Sequence, residues 1–397
     1  MSTKITEHVH YIGVNDRTTQ LFEAMWPLPL GVSYNSYLVT GSRGVAVVDG
    51  VELSHAAEQI RAIKEILGPY RRPDYLIINH MEPDHSGGIA MLRAEWPELK
   101  ITGNATTLKM VKGFYGLAGE ELAVKDGDTL DLGGATLRFT LTPMVHWPET
   151  MMTLLEEEGV LLSGDAFGCF GALNGAVLDR DMDTERYFPE MVRYYGCIVG
   201  RYGQFVQRAL ARLKGVDIRI LCSTHGPVWT ERAGEVIDLY DRLSRYEPLD
   251  DGVTVVYGSM YGHTERMAEA IAGELARQGV RRISMLNAAV TGDDRIIAEA
   301  FTHKGLVVAA PTYSDGLFPP VERALRALAV RKLSGRRVLL AGSHSWAHQA
   351  VKVMGSLLEG CDVVQPAEPV TALQAPGEAE LEACREAARA LARALRD

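Results

Sequence analysis

His80-Met81-Glu82-Pro83-Asp84-His85-Ser86-Gly87-Gly88 is the stretch on which the reading of this chain turns. It follows the apolar run Tyr75–Asn79, which reads as a strand, so it occupies a loop at a strand's C-terminal end, with a helix beginning near Gly88. A rigid sheet fixes such loops, and active sites collect on them. His80, Glu82, Asp84 and His85 offer four ligating side chains within six residues. They diverge around a pair of ions only on a turning backbone, which Pro83 and the two glycines favour. A solitary His or Asp on a loop is ordinarily solvated surface. Four donors in one hexad point to metal binding.

Further donors close later strand-like runs. His146 follows the run from Thr136, in Pro143-Met144-Val145-His146-Trp147-Pro148. Asp165 follows Val160–Ser163, and His225 follows Ile218–Cys222. Each of the three reads singly as core or capping as readily as ligand; together they lie at the same end of their strands as the hexad.

Around these residues, strand-like runs at Tyr34–Val39, Val45–Asp49, Tyr75–Asn79, Thr136–Thr142, Gly159–Ser163 and Asp217–Cys222 are interspersed with helical stretches such as Ala56–Leu67 and Gly203–Lys214. That predicts a layered α/β sandwich. The polar segment Tyr246–Gly252 reads as a linker, so a first domain is expected over residues 1–250 and a second over 251–397. The second alternates regularly. Strands are expected at Val253–Tyr257, Ile283–Leu286, Leu306–Ala310, Val338–Ala341 and Asp362–Pro366, with helices between them and an amphipathic helix over Glu378–Arg396. This is the rhythm of a doubly wound parallel sheet.

The order His-x-Glu-x-Asp-His, then His, Asp and His on later strand ends, resembles the metallo-β-lactamase superfamily. Hydrolases of that superfamily have His where this chain has Glu82; the Glu82 form is similar to the flavodiiron proteins (A-type flavoproteins). The resemblance spans essentially the whole chain. It implies that His80, Glu82 and His146 bind one iron, that Asp84, His85 and His225 bind a second, and that Asp165 bridges them. A carboxylate in place of an imidazole adds charge and a harder ligand, which suits iron passing between ferrous and ferric states. Tyr195, in Arg193-Tyr194-Tyr195-Gly196, resembles a family tyrosine that hydrogen-bonds a metal-bound ligand; Tyr194 is the adjacent alternative, and Trp147 either lines the pocket or packs.

In the second half, Val253–Tyr257 runs into Gly258-Ser259-Met260-Tyr261-Gly262-His263-Thr264 and then a helix. Backbone N–H groups at a helix start, with Ser and Thr hydroxyls, make an anion cradle. No Lys completes a GxxxxGK[ST] loop and there is no GxGxxG turn, which excludes a P-loop and a Rossmann dinucleotide site. A capped helix start accounts for the stretch equally well by itself. Two more loops, at Ala310–Pro319 and Gly342–Trp346, lie at C-terminal strand ends, where such sheets bind ligands. The set resembles the flavodoxin family. It implies that Ser259, Met260, Tyr261, Gly262, His263 and Thr264 hold the phosphate of FMN, while Pro311, Thr312, Tyr313, Ser314, Asp315, Gly316, Ser343, His344, Ser345 and Trp346 border its ring. Tyr313 and Trp346 offer apolar faces to a planar ring. The third loop departs from the family's glycine-rich form, continuing Ala347-His348-Gln349-Ala350.

The resemblance thus implies an oxidoreductase that reduces dioxygen to water, nitric oxide to nitrous oxide, or both, with electrons passing from an external donor through FMN to a non-haem diiron site. A separate donor is expected, such as a rubredoxin or a reduced deazaflavin, and a head-to-tail homodimer or a dimer of dimers. A zinc hydrolase carrying a flavodoxin-like appendage is the alternative, opposed by Glu82; a non-catalytic electron carrier is opposed by the complete ligand set.

Composition sets the frame for these readings. At 397 residues, two to three domains are expected. The 47% hydrophobic and 23% charged residues exclude a disordered chain. A net charge of −10, from 41 Lys+Arg against 51 Asp+Glu, argues against nucleic acid as a partner. The five cysteines, Cys169, Cys197, Cys222, Cys361 and Cys384, form no CxxC pair, so neither a disulfide framework nor a thiolate metal site is expected. No apolar run approaches the roughly 18 residues of a membrane span, and the start does not read as a signal peptide, so a cytoplasmic protein is expected.

Overall fold

A computed structural model describes residues 2–117 and 119–396. It divides into two compact units: Met1–Tyr195 with Gln204–Asp241, and Gly196–Gly203 with Arg242–Asp397. The division falls after Asp241, upstream of the boundary expected at residue 250. Arg242 explains part of this: its guanidinium binds Glu247 and donates to the Pro248 carbonyl, which ties the intended linker to the second unit.

The first unit holds two sheets. One runs in the order Thr3–Lys4, Val9–Tyr11, Tyr37–Thr40, Val45–Val48, Tyr75–Ile77, Lys100–Gly103 and Glu121–Ala123, and is parallel from Val45–Val48 onward. The other runs Thr129–Asp131, Thr136–Leu141, Met151–Leu155, Val160–Gly164 and Ile220–Ser223, antiparallel except for its last pair. Val45–Val48 reads Val-Ala-Val-Val and is buried on both faces, as a central strand under helices must be. Helices Ala56–Leu67, Ile89–Glu95 and Ala105–Tyr115 pack Ile63, Leu92 and Leu108 onto Val47, Leu76 and Ile101. A fully buried side chain of this kind stabilises by about 1.5–3 kcal/mol. The helix Ala105–Tyr115 is delimited by its sequence: the Asn104 side chain accepts from the Thr106 and Thr107 N–H groups, and Gly116 ends it at φ 62°. The arrangement is the αββα sandwich expected.

Two local expectations change. Tyr34–Val39 is not one strand. Val32–Tyr34 pairs with Val14–Asp16 in a separate ribbon, and Tyr37–Thr40 joins the main sheet. The break falls at Asn35 and Ser36, whose side chains donate to the carbonyls of Ser223, Gly226 and Asp49. The hexad is not all loop either: Pro83–Ser86 forms one helical turn with proline at its start, a position that needs no N–H.

The second unit is a parallel sheet in the order Ile283–Asn287, Asp250–Tyr257, His303–Tyr313, Arg336–His344, closed by an edge strand. With the strands counted along the chain this is the 2-1-3-4-5 order of flavodoxin-like folds. Asp250–Gly252, expected as linker, already belongs to the first of these strands. The fifth strand was expected at Asp362–Pro366; it is split into Val363–Val364 and Val370–Leu373, both parallel to Arg336–His344. Helices His263–Arg277 and Glu378–Ala394 cover one face, packing Ile271, Leu275, Ala388 and Leu391 onto Val253, Val255, Val307 and Leu339. Because the strands are parallel, the loops after Tyr257, Tyr313 and His344 open at one end of the sheet.

Candidate functional site

In the first unit the hexad leaves its strand through Asn79, whose backbone N–H and side-chain amide donate to the Asp49 carboxylate at 2.7 and 3.0 Å. Asp49 is fully enclosed, and burial pushes its carboxyl up to about 6. The seven expected donors come together as two groups: His80, Glu82, His146 and Asp165, then Asp84, His85 and His225. Within each group, one donor atom per residue lies within 4.8 Å of every other.

Asp165 joins the groups. Its Oδ2 is 3.1 Å from His146 Nε2 and 3.5 Å from His80 Nε2, while its Oδ1 is 2.8 Å from His85 Nε2 and 3.7 Å from His225 Nε2. One carboxylate thus offers an oxygen to each side, as a bridging ligand does. His85 turns inward, with Nε2 also 3.2 Å from Asp84 Oδ2.

The surroundings fix which nitrogen each histidine offers. His80 Nδ1 donates to Glu149 Oε1 at 2.9 Å, and the same oxygen accepts from the Met81 N–H at 2.9 Å. His225 Nδ1 donates to the Ser33 carbonyl at 2.8 Å. Carboxylates and carbonyls only accept, so these protons sit on Nδ1 and both Nε2 atoms face the site as ligands. Thr224 Oγ1 donates to Asp165 Oδ1 at 2.5 Å.

The electrostatics suit a cation. Burial disfavours charge on Glu82 and Asp165, yet the facing imidazoles, His146 foremost for Glu82 and His85 for Asp165, hold both carboxyls well below the usual range. Burial likewise disfavours imidazolium, but the carboxylates outweigh it and push His85 and His146 up to about 9. Both oxygens of Asp84 and the Nε2 of His225 are shielded from solvent and make no well-aligned hydrogen bond among the described residues, although His85 Nε2 and His225 Nε2 approach Asp84 Oδ2 to 3.2 and 3.3 Å. Buried acceptors without donors are costly, and a metal ion satisfies them while displacing the imidazole protons. The donor set fits two ions of the iron type, with carboxylate and imidazole and no thiolate.

One expectation is corrected. Tyr194, not Tyr195, is the tyrosine against the metal pocket: its ring centroid is 5.5 Å from that of His225, and its buried hydroxyl has no partner among the described residues. Burial, then chiefly the Asp165 carboxylate, raises that hydroxyl well above the ordinary tyrosine value, so it keeps its proton. Tyr195 packs edge-on against Tyr240 instead. The helix Tyr187–Tyr194 passes there into a π-helical turn, and neighbours on a helix point about 100° apart. Trp147 does line the pocket, with its ring 5.2 Å from His80 and stacked at 6.3 Å on Phe114.

Two acids escaped the sequence reading. Glu149 carried a signal, since it follows the proposed ligand His146 in the same short loop. Glu23 carried none. It sits at φ 49° in the turn between strands Leu21–Phe22 and Trp26–Pro27, and its Oε2 accepts from the Trp26 indole at 3.1 Å. Burial, and then the charge of the Glu82 carboxylate that it hydrogen-bonds, push it up to about 7.

In the second unit a cleft of about 290 Å³ opens at the strand ends. It is lined by Met260, Tyr261 and His263 of the first loop, Pro311, Thr312, Ser314 and Asp315 of the second, and Ser343, His344, Ser345 and Trp346 of the third. Ala347 and Gln374 also line it and were not anticipated. The expected hydroxyls are partly engaged: Thr264 and Ser343 hydrogen-bond each other at 2.8 Å, and Ser259 Oγ accepts from the Gly262 N–H at 3.0 Å. Tyr313 lies outside the lining, edge-on to Phe318, while Gly316 pairs back to it across a tight hairpin. Gly262, at φ 84°, precedes helix His263–Arg277 with no side-chain cap, so the first-turn N–H groups remain for an anion. Trp346 and Tyr261 are 84% and 85% exposed, too much for core aromatics and suited to covering a planar ligand. The cleft fits FMN: an anion end at a helix start and an aromatic rim.

Comparison with known proteins agrees in both units. Residues 32–226 match the model of the ODP family beta lactamases, and residues 255–387 match flavodoxin. The anaerobic nitric oxide reductase flavorubredoxin of Escherichia coli O1:K1 / APEC is 29% identical over 399 residues, covering 99% of this chain and 82% of that one. Among solved structures, the rubredoxin oxygen:oxidoreductase of the anaerobe Desulfovibrio gigas matches with a TM-score of 0.93 at 27% identity, over 100% of this chain and 99% of that one. A flavodiiron protein from Giardia intestinalis matches with a TM-score of 0.93 at 25% identity, over 100% and 97%.

Proposed function

The chain belongs to the flavodiiron proteins, oxidoreductases that carry FMN and a diiron centre, and on that premise we propose that it reduces dioxygen to water, nitric oxide to nitrous oxide, or both. When bound, FMN supplies one- or two-electron transfer and the iron pair supplies adjacent redox centres for a small oxidant. The observation that carries the reading is Asp165, which gives one oxygen to each donor group inside a closed shell of imidazoles and carboxylates.

In this reading His80, Glu82 and His146 hold one ion and Asp84, His85 and His225 the other. Glu149 and the Ser33 carbonyl keep His80 and His225 in the ligating tautomer. Tyr194 holds its hydroxyl proton as a donor to negative charge that develops in the pocket. Glu23, whose carboxyl burial and then Glu82 raise to about 7, lies against the ligand Glu82 and serves in this reading as a proton relay. The open N–H groups after Gly262 would hold the phosphate of FMN, and Trp346 would cover its ring.

An external protein donor is part of the proposal; the names of the Escherichia coli and Desulfovibrio gigas relatives favour a rubredoxin. So is a head-to-tail homodimer. Exposed Met25 and Phe114 in the first unit, and Tyr261 and Trp346 in the second, support burial of both rims in an assembly. A cytoplasmic setting is part of the proposal, supported by the free thiols of Cys169, Cys222, Cys361 and Cys384. No helix among the described residues is long and apolar enough to cross a membrane. The test is steady-state consumption of each gas with one defined donor, on protein of measured iron and FMN content. Turnover of at least one gas in proportion to iron is expected. Zinc in iron-replete preparations, with no consumption of either gas, would favour the hydrolase.

A further inference from the structure

The third loop of the cleft carries two histidines. His344 ends strand Arg336–His344 and lines the cleft, and His348 follows in the same loop ahead of helix Ala350–Leu358. Their rings are stacked, with centroids 4.4 Å and planes 18° apart. His344 Nδ1 is buried without a hydrogen-bond partner among the described residues, while His348 is exposed to solvent. Two imidazolium ions at that separation repel strongly, so the stack accepts one proton far more readily than two.

Tyr261, His263 and Asp315 are the other titratable side chains among the described residues that line the cleft with His344. His263 comes from the first loop, and Asp315 from the second, where its carboxylate accepts from the Trp346 indole at 3.2 Å. Gln374 adds a backbone N–H to the His344 carbonyl at 2.7 Å. Among the described residues lining the cleft, none is Lys or Arg. Negative charge gained by a ligand here is therefore met by imidazole.

We propose that His344 and His348 act as a one-proton pair on the flavin, neutral beside the oxidised ring and cationic beside the reduced one. The inference rests on the reading of this cleft as the FMN site. Two electrons enter from the external donor, one proton from water goes onto the ring and leaves it with one added negative charge, and a second proton from water moves onto the pair; on reoxidation the two electrons and both protons leave. Burial first, and then His348, lower the affinity of His344 for a proton, which disfavours the cation there until a negative charge faces it. Below both proton affinities the pair is charged in either redox state and raises the flavin potential. Above both it is neutral and without effect.

The test is spectroelectrochemical titration of the FMN-loaded protein from pH 6 to pH 9, for wild type, His344→Gln and His348→Ala. At pH 6, His344→Gln should weaken reduced relative to oxidised FMN about tenfold, or about 30 mV for a two-electron couple. At pH 9 it should match wild type. His348→Ala removes the neighbour that lowers the affinity of His344 for a proton, so it should move the bend in the potential curve to higher pH. A His344→Gln curve parallel to wild type at every pH overturns the proposal, since simple packing would weaken both redox forms alike. If that variant fails to retain FMN, an unmoved bend in His348→Ala overturns it. A wild-type cleft that binds no FMN overturns the FMN reading itself, and the pair with it.

Discussion

The metal pocket and the flavin cleft solve opposite problems. In the pocket, six of the seven donors are buried, and each is held by another charged group or by a carbonyl. Charge taken out of water must be compensated locally, so the pocket is a mutual network in which removing one member unbalances the rest. In the cleft, the recognition groups are largely exposed and neutral, and its hydroxyls bond each other. Function in the pocket is therefore expected to be fragile to single substitutions, and function in the cleft graded.

Asp165→Ala should break this contrast most severely. Losing the shared carboxylate should take iron from two per chain towards none, while FMN stays stoichiometric; metal analysis alongside flavin absorbance checks this. Loss of both cofactors would mean that the two sites do not stand independently. Glu149→Ala should act through His80 and the Met81 N–H that shares its oxygen. Without that anchor, iron affinity should fall about 10- to 100-fold in a chelator competition, with the fold intact.

Thr264→Val probes the graded side. It removes a hydroxyl from the pair with Ser343, worth about 1 kcal/mol, so the Kd for FMN should rise about fivefold and iron content should not change. The smallest effect concerns neither site. His303 lies between Asp250 at 2.7 Å and Glu299 at 3.1 Å. Burial opposes its charge, but Glu299 and Asp250 outweigh burial and raise its proton affinity. The folded state thus binds this proton more tightly than the unfolded chain. The stability it adds is full below the ordinary histidine value of 6.5 and is lost as pH rises through the higher folded value. Thermal melts should show wild type losing about 1 kcal/mol or less relative to His303→Gln over that rise.

Much of the pocket was legible because its chemistry demands particular residues in a short span. A hexad with four donors, followed by single donors after apolar runs, specifies ligands before any contact is known. What escaped depends on direction, which sequence spacing does not carry. Tyr194 and Tyr195 are adjacent, and only the π-helical turn after Tyr194 decides which one meets His225. Glu23 reaches Glu82 from a distant hairpin whose turn residues adopt positive φ without glycine. In the cleft the loops were legible at strand ends, but which hydroxyls they spend on each other was not. The split fifth strand shows the same limit, because short edge segments have too few residues to display a period.

The central claim is that one chain couples a flavin to an iron pair that reduces a small oxidant. Its most direct test is stopped-flow mixing of anaerobically reduced, fully loaded protein with dioxygen and, separately, with nitric oxide, beside Asp165→Ala loaded with FMN alone. The account predicts that flavin in the wild type reoxidises with at least one of the gases much faster than free FMN, and that the variant loses this acceleration. Reoxidation no faster than free FMN with both gases, in protein of full iron content, would contradict it.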